Sequence, residues 1–484
     1  MNKTKVKIGV DAIKLTASKL INLIITLASG MLLSRFLTLE EYGTYSQLLM
    51  VVNLACSLFM LGLPNSINYF FARAENELQK SHFLSVYYTL NTLLSFITGL
   101  MLVISVPLIE RLLSNYQIRY FIFFLAVFPW TRIIMSSIES VLIVSQKSNL
   151  LIIYRILNSL FLLLIILIAR VLNLSFSSYL LLYLFTEILF TVWVYLILGK
   201  LSEKLKPDFD RELTKKIFYY SIPIGVATML GTINIELGKL VISNNMGTEL
   251  LAIYTNASKE LPVTIIAGSV TSVLLPQITR LLQQGKKIQA LKTWEDAIVL
   301  SFIVISFFAI AFFVFAPEVI MVLYSEKYLL GVDVFRVFCL VLLLRCTYFG
   351  IVLNATGKTK YIFYSSFASL ALNILLSMVL IPYLGLLGPA LASLISAIVM
   401  NLAQLVYTSY CTEISFSHIF PWKTIGKVLI VQGLLGGLAI ISKKPIAEFF
   451  GEIMAAVFIG AIWFVIMALL FRKSIMLRWK RLNH

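Results

Sequence analysis

The chain has 484 residues, 60% hydrophobic and only 13% charged, with a mean hydropathy of +0.92. Soluble domains carry about 25% charged residues, so a water-soluble enzyme, a disordered chain and a small disulfide scaffold are all excluded. Yet 40 Lys+Arg stand against 23 Asp+Glu, a net charge of +17. No stretch has the polar, basic character that a nucleic-acid-binding domain needs.

A membrane-spanning helix needs about 20 mostly apolar residues. In chain order the sequence predicts about fourteen such segments: 12–34, 43–70, 83–108, 118–143, 149–172, 176–199, 217–243, 250–278, 295–316, 333–354, 361–381, 387–411, 424–442 and 452–471. The first run follows Lys3, Lys5 and Lys7 and continues to Leu33 with no small-residue cleavage site. It reads as a retained membrane helix and not as a signal peptide. Membrane barrels show short alternating segments, unlike these long continuous runs. The fold class is therefore an all-α polytopic membrane protein. Cys56, Cys339, Cys346 and Cys411 lie in apolar runs, and His82, His418 and His484 are scattered. Neither set has metal-ligand spacing, so no metal site is expected.

The loops test this layout. With the N-terminus on the cytoplasmic side and sides alternating, that side receives about 26 Lys and Arg, the other about 7, as the positive-inside rule requires. Both termini are then cytoplasmic. Lys443 and Lys444 fall on the outer side and fit worst. The basic connection Lys200–Lys216, containing Pro207, is the natural linker between two halves.

An internal repeat supports those halves. SRFLTLEEYGTYS (Ser34–Ser46) and SNNMGTELLAIYT (Ser243–Thr255) match at one fixed offset: Ser34 with Ser243, Glu40 with Glu249, Tyr45 with Tyr254. SQKSN (Ser145–Asn149) echoes TGKTK (Thr356–Lys360), and Asn158 and Asn373 follow at similar distances. The expected organisation is residues 1–205 (helices 1–6), 206–411 (helices 7–12) and 412–484 (two further helices and a basic tail). Two pseudo-symmetric six-helix lobes with one orientation, and a substrate path between them, would follow.

These motifs, with YSIPIG (Tyr220–Gly225), MGTELLAIYTNASKE (Met246–Glu260) and LNILLSMVLIPYLGLLGPALAS (Leu372–Ser393), carry a resemblance. The chain resembles bacterial polysaccharide exporters: the Wzx-type O-antigen and capsule repeat-unit flippases of the multidrug/oligosaccharidyl-lipid/polysaccharide exporter superfamily. The resemblance implies a MATE-like fold in the inner membrane. It implies alternating access that carries undecaprenyl-diphosphate-linked oligosaccharide from the cytoplasmic to the outer leaflet, without enzymatic catalysis. It also implies polysaccharide polymerase and assembly proteins as partners, and the last two helices, with GLLGG (Gly433–Gly437), as a shelter for the polyprenyl tail. Relatives often carry an acidic–basic pair late in helix seven, where this chain reads NIELGKL (Asn234–Leu240).

Seven cations fall within predicted membrane segments: Lys19, Arg132, Arg155, Lys239, Lys259, Arg336 and Arg345. The acids at comparable depth are Glu139, Glu187, Glu236 and Glu260. Each mid-helix charge costs roughly 2.5–3.5 kcal/mol, and the surplus cations suit an anion such as a diphosphate. Helical spacing aligns Lys19, Asn22, Thr26 and Ser29 on one face. Thr228, Thr232, Glu236, Lys239 and Ser243 do the same on the counterpart helix. The cations are the expected substrate contacts, and Asn22, Thr26, Thr228 and Thr232 the expected polar lining. The four acids are expected to couple transport to H+ or Na+; no other cofactor is expected. A structural reading stays open for each: interhelical packing for the polar stripes, an i,i+3 pair for Glu236 and Lys239, and snorkelling for Lys19, Arg155 and Arg336. Pro64, Pro129, Pro223, Pro262 and Pro276 interrupt or border helices and are candidate hinges.

Three rivals remain. A lipid II flippase shares the diphosphate. A multidrug cation antiporter shares the fold but favours acidic cavities. A membrane polysaccharide polymerase needs a large outer loop, whereas 317–332 offers only Glu318, Glu326 and Lys327 as charges. No nucleotide-binding loop of the GxxxxGK[ST] type occurs.

Overall fold

A computed structural model describes residues 2–71, 73–202, 206–259, 261 and 263–483. Of the residues named above, Glu260, Pro262 and His484 lie outside that set, as do residues 203–205 of the basic connection. Among the described residues every regular element is a helix. Eleven helices are long and apolar enough to cross a membrane. Leu39–Phe59 and Pro64–Phe71, bent by 50° at their break, make a twelfth span if read together. The chain is a multi-pass membrane protein. It divides into two compact units, Met1–Ala252 and Ile253–His484.

Several predicted spans come out interrupted. The 43–70 run breaks at Leu61 and Gly62, with φ of 46° and 71°. Pro64 then starts the next helix, a position that needs no backbone N–H. This elbow is pressed against Gly225: a Cβ there would sit 2.3 Å from the Leu61 carbonyl carbon. The 250–278 run divides into Thr248–Ala257 and Thr264–Gln283. The 333–354 run divides into Val332–Leu343 and Ile351–Ala355. Its break holds Arg345, Thr347 and Gly350, and Trp294 Nε1 donates to Thr347 Oγ1 at 2.9 Å. A polar side chain with a partner outside its own helix, beside a glycine, favours a turn over a continuous helix. Pro129, Pro223 and Pro276 sit within helices.

The repeat reappears as local structure. Glu77–Ile104 is followed by Val106–Leu113, by a 3-10 turn at Tyr116–Phe121 and by Ile122–Met135. The same four elements recur with identical register as Lys287–Val314, Ala316–Leu323, Glu326–Gly331 and Val332–Leu343. Each short helix has proline at its second residue, Pro107 or Pro317.

Within the first unit the two sequence motifs meet. A Cβ on Gly43 would lie 2.0 Å from the Thr248 carbonyl oxygen, so only glycine admits this approach. Beside it runs a buried amide network. Gln47 Nε2 donates to Ser243 Oγ at 2.7 Å and to the Leu113 carbonyl at 3.1 Å. Asn115 Nδ2 donates to Gln47 Oε1 at 2.6 Å and to Thr44 Oγ1 at 3.0 Å. The segment 206–210 is tied to the Glu77–Ile104 helix. The His82 ring nitrogens lie 2.9 Å from Asp208 Oδ2 and 3.1 Å from Asp210 Oδ2, and the Asp208 N–H donates to Thr89 Oγ1 at 3.0 Å. Asp210 also caps Arg211–Met246, accepting from the Glu212 and Leu213 N–H groups.

In the second unit, Trp294, Ile298, Phe302 and Phe307 of Lys287–Val314 are buried against Trp463 and Met467 of the last helix. Arg478 Nη1 reaches the buried Asp296 carboxylate at 2.5 Å, and Trp463 Nε1 donates to Gln432 Oε1 at 2.8 Å.

Candidate functional site

The intramembrane acids separate into two kinds. Among the described residues five carboxylates are buried: Glu110, Glu187, Glu236, Asp296 and Glu318. Four have cation partners. Glu110 takes a two-pronged contact from Arg119 at 2.8 and 2.9 Å. Glu236 takes Lys239 at 2.8 Å and the Asn53 amide at 3.3 Å. Asp296 takes Arg478, and Glu318 takes Lys443. Glu187, only 4% exposed, forms no ion pair among the described residues. Its neighbourhood holds Arg132, whose charge acts on Glu187 and on Tyr45 and Tyr183. Asn158 Nδ2 is buried and has no hydrogen-bond partner among the described residues.

Three of the sequence-derived charges come together. Glu139 holds two cations from other helices. Lys19 Nζ lies 3.3 Å from Glu139 Oε1, and Arg155 Nη2 lies 2.6 Å from Glu139 Oε2. The helices Asn2–Phe36, Ile138–Val144 and Ser148–Val171 supply one residue each. The helix carrying Arg132 ends at Met135, and Ser136 and Ser137 separate it from Glu139.

Arg132 stands apart. It is exposed, its guanidinium lies 5.9 Å over the Phe128 ring, and it forms no ion pair among the described residues.

The polar stripes divide. Thr26 donates back to the Asn22 carbonyl at 2.8 Å, and Ser29 to the Ile25 carbonyl at 2.9 Å. On the counterpart helix Thr228 is exposed and back-bonded to the Gly225 carbonyl, and Thr232 to the Thr228 carbonyl. Glu236 and Ser243 of the same stripe are buried, Ser243 beneath Gln47. That stripe therefore mixes an open end with a packed one.

In the second unit Arg336 pairs with Asp333 at 2.9 Å and lies 5.8 Å over Phe313. Arg345 is exposed and Lys259 half-buried, and each is engaged with a neighbour. Among the described residues no group of three or more His, Cys, Asp or Glu is placed to hold a metal ion.

Sequence reasoning missed Glu110, Asp296 and Glu318. The first and last lie on the short helices VPLIERLL and APEVIMVL, whose shared proline is the signal that pairs them. Arg119 and Lys443, which the sequence reading assigns to the sparsely charged side, each neutralise a buried acid, Glu110 and Glu318.

The fold and sequence have known counterparts. The structure superposes on the lipid II flippase MurJ in an inward closed conformation with a TM-score of 0.74 at 17% identity, covering 96% of this chain and 100% of that one. An inward-facing multidrug resistance MATE family transporter of the MOP superfamily gives 0.63 at 16% identity, covering 81% and 96%. The capsular polysaccharide biosynthesis protein CapF of Staphylococcus aureus is 26% identical over 190 residues, 38% of this chain and 48% of CapF. The probable low-salt glycan biosynthesis flippase Agl15 of Haloferax volcanii is 21% identical over 280 residues, 57% of this chain and 58% of Agl15. The chain spans about half the length of the curated relatives it matches. The family model for polysaccharide biosynthesis proteins matches residues 32–333, well over half the chain. With its MurJ- and MATE-like all-helical architecture, the chain belongs to the polysaccharide biosynthesis protein family.

Proposed function

We propose that the protein is a flippase for diphosphate-linked lipid oligosaccharide, an O-antigen or capsule repeat unit on an undecaprenyl carrier. It would move the head group across the cytoplasmic membrane by alternating access, with both termini in the cytoplasm. The observation that carries this reading is Arg132. It is an exposed guanidinium within the Tyr116–Val144 span, without an ion pair among the described residues. A lone charge on a membrane helix is costly against lipid, so it faces water or an anion. Guanidinium pairs with phosphate through two parallel N–H bonds. Lys19 and Arg155 add cations in the same unit, and Lys259, Arg336 and Arg345 in the other; family membership supplies the glycan. Glu187 is the ion-coupling residue, because a buried carboxyl without a cation partner is the group that gains most from binding a proton or Na+. Glu236, already held by Lys239 and Asn53, is less available.

Deleting the gene tests the reading. Lipid-linked repeat units accumulate on the cytoplasmic face and surface polysaccharide is lost. Normal surface glycan with altered drug sensitivity would instead point to a multidrug transporter. A block in peptidoglycan precursor export would point to lipid II. Arg132→Gln, Lys259→Gln and Arg345→Gln, each expressed at the wild-type level, reduce surface glycan; full restoration by all three refutes the cationic mechanism.

A further inference from the structure

The Lys19–Glu139–Arg155 cluster differs from the Glu236–Lys239 pair, and from Asp296, whose two arginines surround a buried carboxylate. Glu236 and Lys239 sit on one helix, with the acid buried and supported by Asn53. Glu139 is open: its side chain is 41% exposed, Lys19 is 53% exposed, and Arg155 is 14% exposed. Two cations share one carboxylate, leaving the cluster with a net positive charge. The acceptor count is also short. Arginine presents five N–H donors and lysine three, whereas the carboxylate gives one oxygen to each cation. Arg155 Nη1 is buried and has no acceptor among the described residues. A buried donor without a partner is a standing cost, and it marks a place where a further acceptor oxygen would be favourable.

A phosphate group meets that description. Its two non-bridging oxygens are spaced much like the two oxygens of a carboxylate, so one phosphate can bridge the same two cations while the second phosphate of a diphosphate offers a further oxygen to Nη1. We propose that Lys19 and Arg155 form an anion subsite for one phosphate of the lipid diphosphate, with the Glu139 carboxylate its resident occupant, displaced when substrate binds. This rests on the flippase reading above and deepens it. Glu139 becomes a positioning residue. It holds both cations in place while the site is empty, turns away anions too weak to displace it, and by returning helps to expel the diphosphate.

The test uses the full-length protein in phosphatidylcholine nanodiscs, where no anionic headgroup competes, with inorganic pyrophosphate as the probe in calorimetry. Glu139→Gln binds pyrophosphate at least about threefold tighter than wild type, because the competitor's charge is gone. Arg155→Gln and Lys19→Gln bind it more weakly. Glu77→Gln, which removes an equal charge from a surface pair with Lys80, leaves the affinity unchanged. If Glu139→Gln fails to fold, Glu139→Asp replaces it; its shorter arm does not reach both cations, and binding again tightens. Unchanged or weaker binding by the Glu139 variant overturns the proposal, as does equal tightening by Glu77→Gln. Loss of binding in Arg132→Gln alone, with the cluster variants like wild type, overturns this subsite and leaves the flippase reading standing. No pyrophosphate binding by folded wild type overturns both.

Discussion

Replacing Lys443 by methionine isolates the energetics of one buried ion pair. Lys443, on the Trp422–Phe450 helix, pairs with Glu318, whose carboxyl is buried and whose Oε2 has no hydrogen-bond partner among the described residues. Removing one partner of such a pair typically costs about 3–5 kcal/mol, because the other charge is left without compensation. The lone carboxylate can escape by taking up a proton. For an ordinary glutamate that step costs about 4 kcal/mol at pH 7 and falls by 1.36 kcal/mol for each unit of acidification. The penalty is therefore capped near 4 kcal/mol at pH 7 and drops to about 1 kcal/mol at pH 5. The double variant Lys443→Met with Glu318→Leu recovers most of the loss, since well-packed apolar replacements of buried pairs are often neutral. Thermal unfolding of the detergent-purified protein, followed by tryptophan fluorescence at both pH values, reads these differences. A single variant that melts with wild type, or a penalty equal at pH 5 and pH 7, refutes the reasoning.

Gly43→Ala forces a methyl group into the Thr248 carbonyl, a backbone atom that cannot rotate away. The expected destabilisation is about 1–3 kcal/mol or more, and an alanine variant with the wild-type melting temperature would show that the two motifs do not touch in the folded protein. The Leu213 N–H and the His82 ring hold the Asp210 carboxyl below the usual carboxylate range. A carboxyl lowered on folding stabilises above its unfolded value and loses that contribution as pH falls through the folded one. Asp210→Asn should therefore melt below wild type at pH 7, with the gap closing below about pH 4; a gap independent of pH contradicts this. Glu187→Gln should remove the dependence of glycan export on the proton or sodium gradient while pyrophosphate binding persists, and an export assay in inverted vesicles that keeps its gradient dependence excludes Glu187 as the coupling group.

The membrane class was legible because hydropathy acts over whole segments. A run of some 20 apolar residues leaves little choice, and most predicted runs, such as 149–172 and 361–381, are single helices. Breaks were harder to read. At Leu61 the left-handed φ belongs to a leucine, which carries no propensity signal for it; the close approach of Gly225, far along the chain, goes with it. The repeat was visible in the SRFLTLEEYGTYS motif, but its clearest form, the four-element unit ending in a 3-10 turn, is a matter of local geometry with little sequence identity. Site residues were the least legible. A spacing argument sees one helix at a time, whereas Glu139 finds its partners on two others.

That difference bears on how intramembrane charge should be counted. Seven cations against four acids implied a broad surplus available to an anionic cargo. The folded chain places Lys239 and Arg336 in pairs within their own helices, and Lys19 and Arg155 around one shared carboxylate. The acids of Glu110, Asp296 and Glu318, which lie outside the sequence-derived set, are matched by Arg119, Arg478 and Lys443, which the sequence reading assigns to loops and tail. Structural neutralisation therefore draws on cations that topology alone assigned to the membrane faces. The charge free for cargo is set by where pairs close, and net charge is a poor guide to it. Of the seven cations, those of the first unit that lie outside a one-to-one ion pair among the described residues are the exposed Arg132 and the two of the net positive Lys19–Glu139–Arg155 cluster. If a diphosphate is held there, loss of Arg132 or Arg155 should weaken its binding far more than loss of any of the thirteen basic residues of the same unit that the sequence reading assigns to the cytoplasmic side.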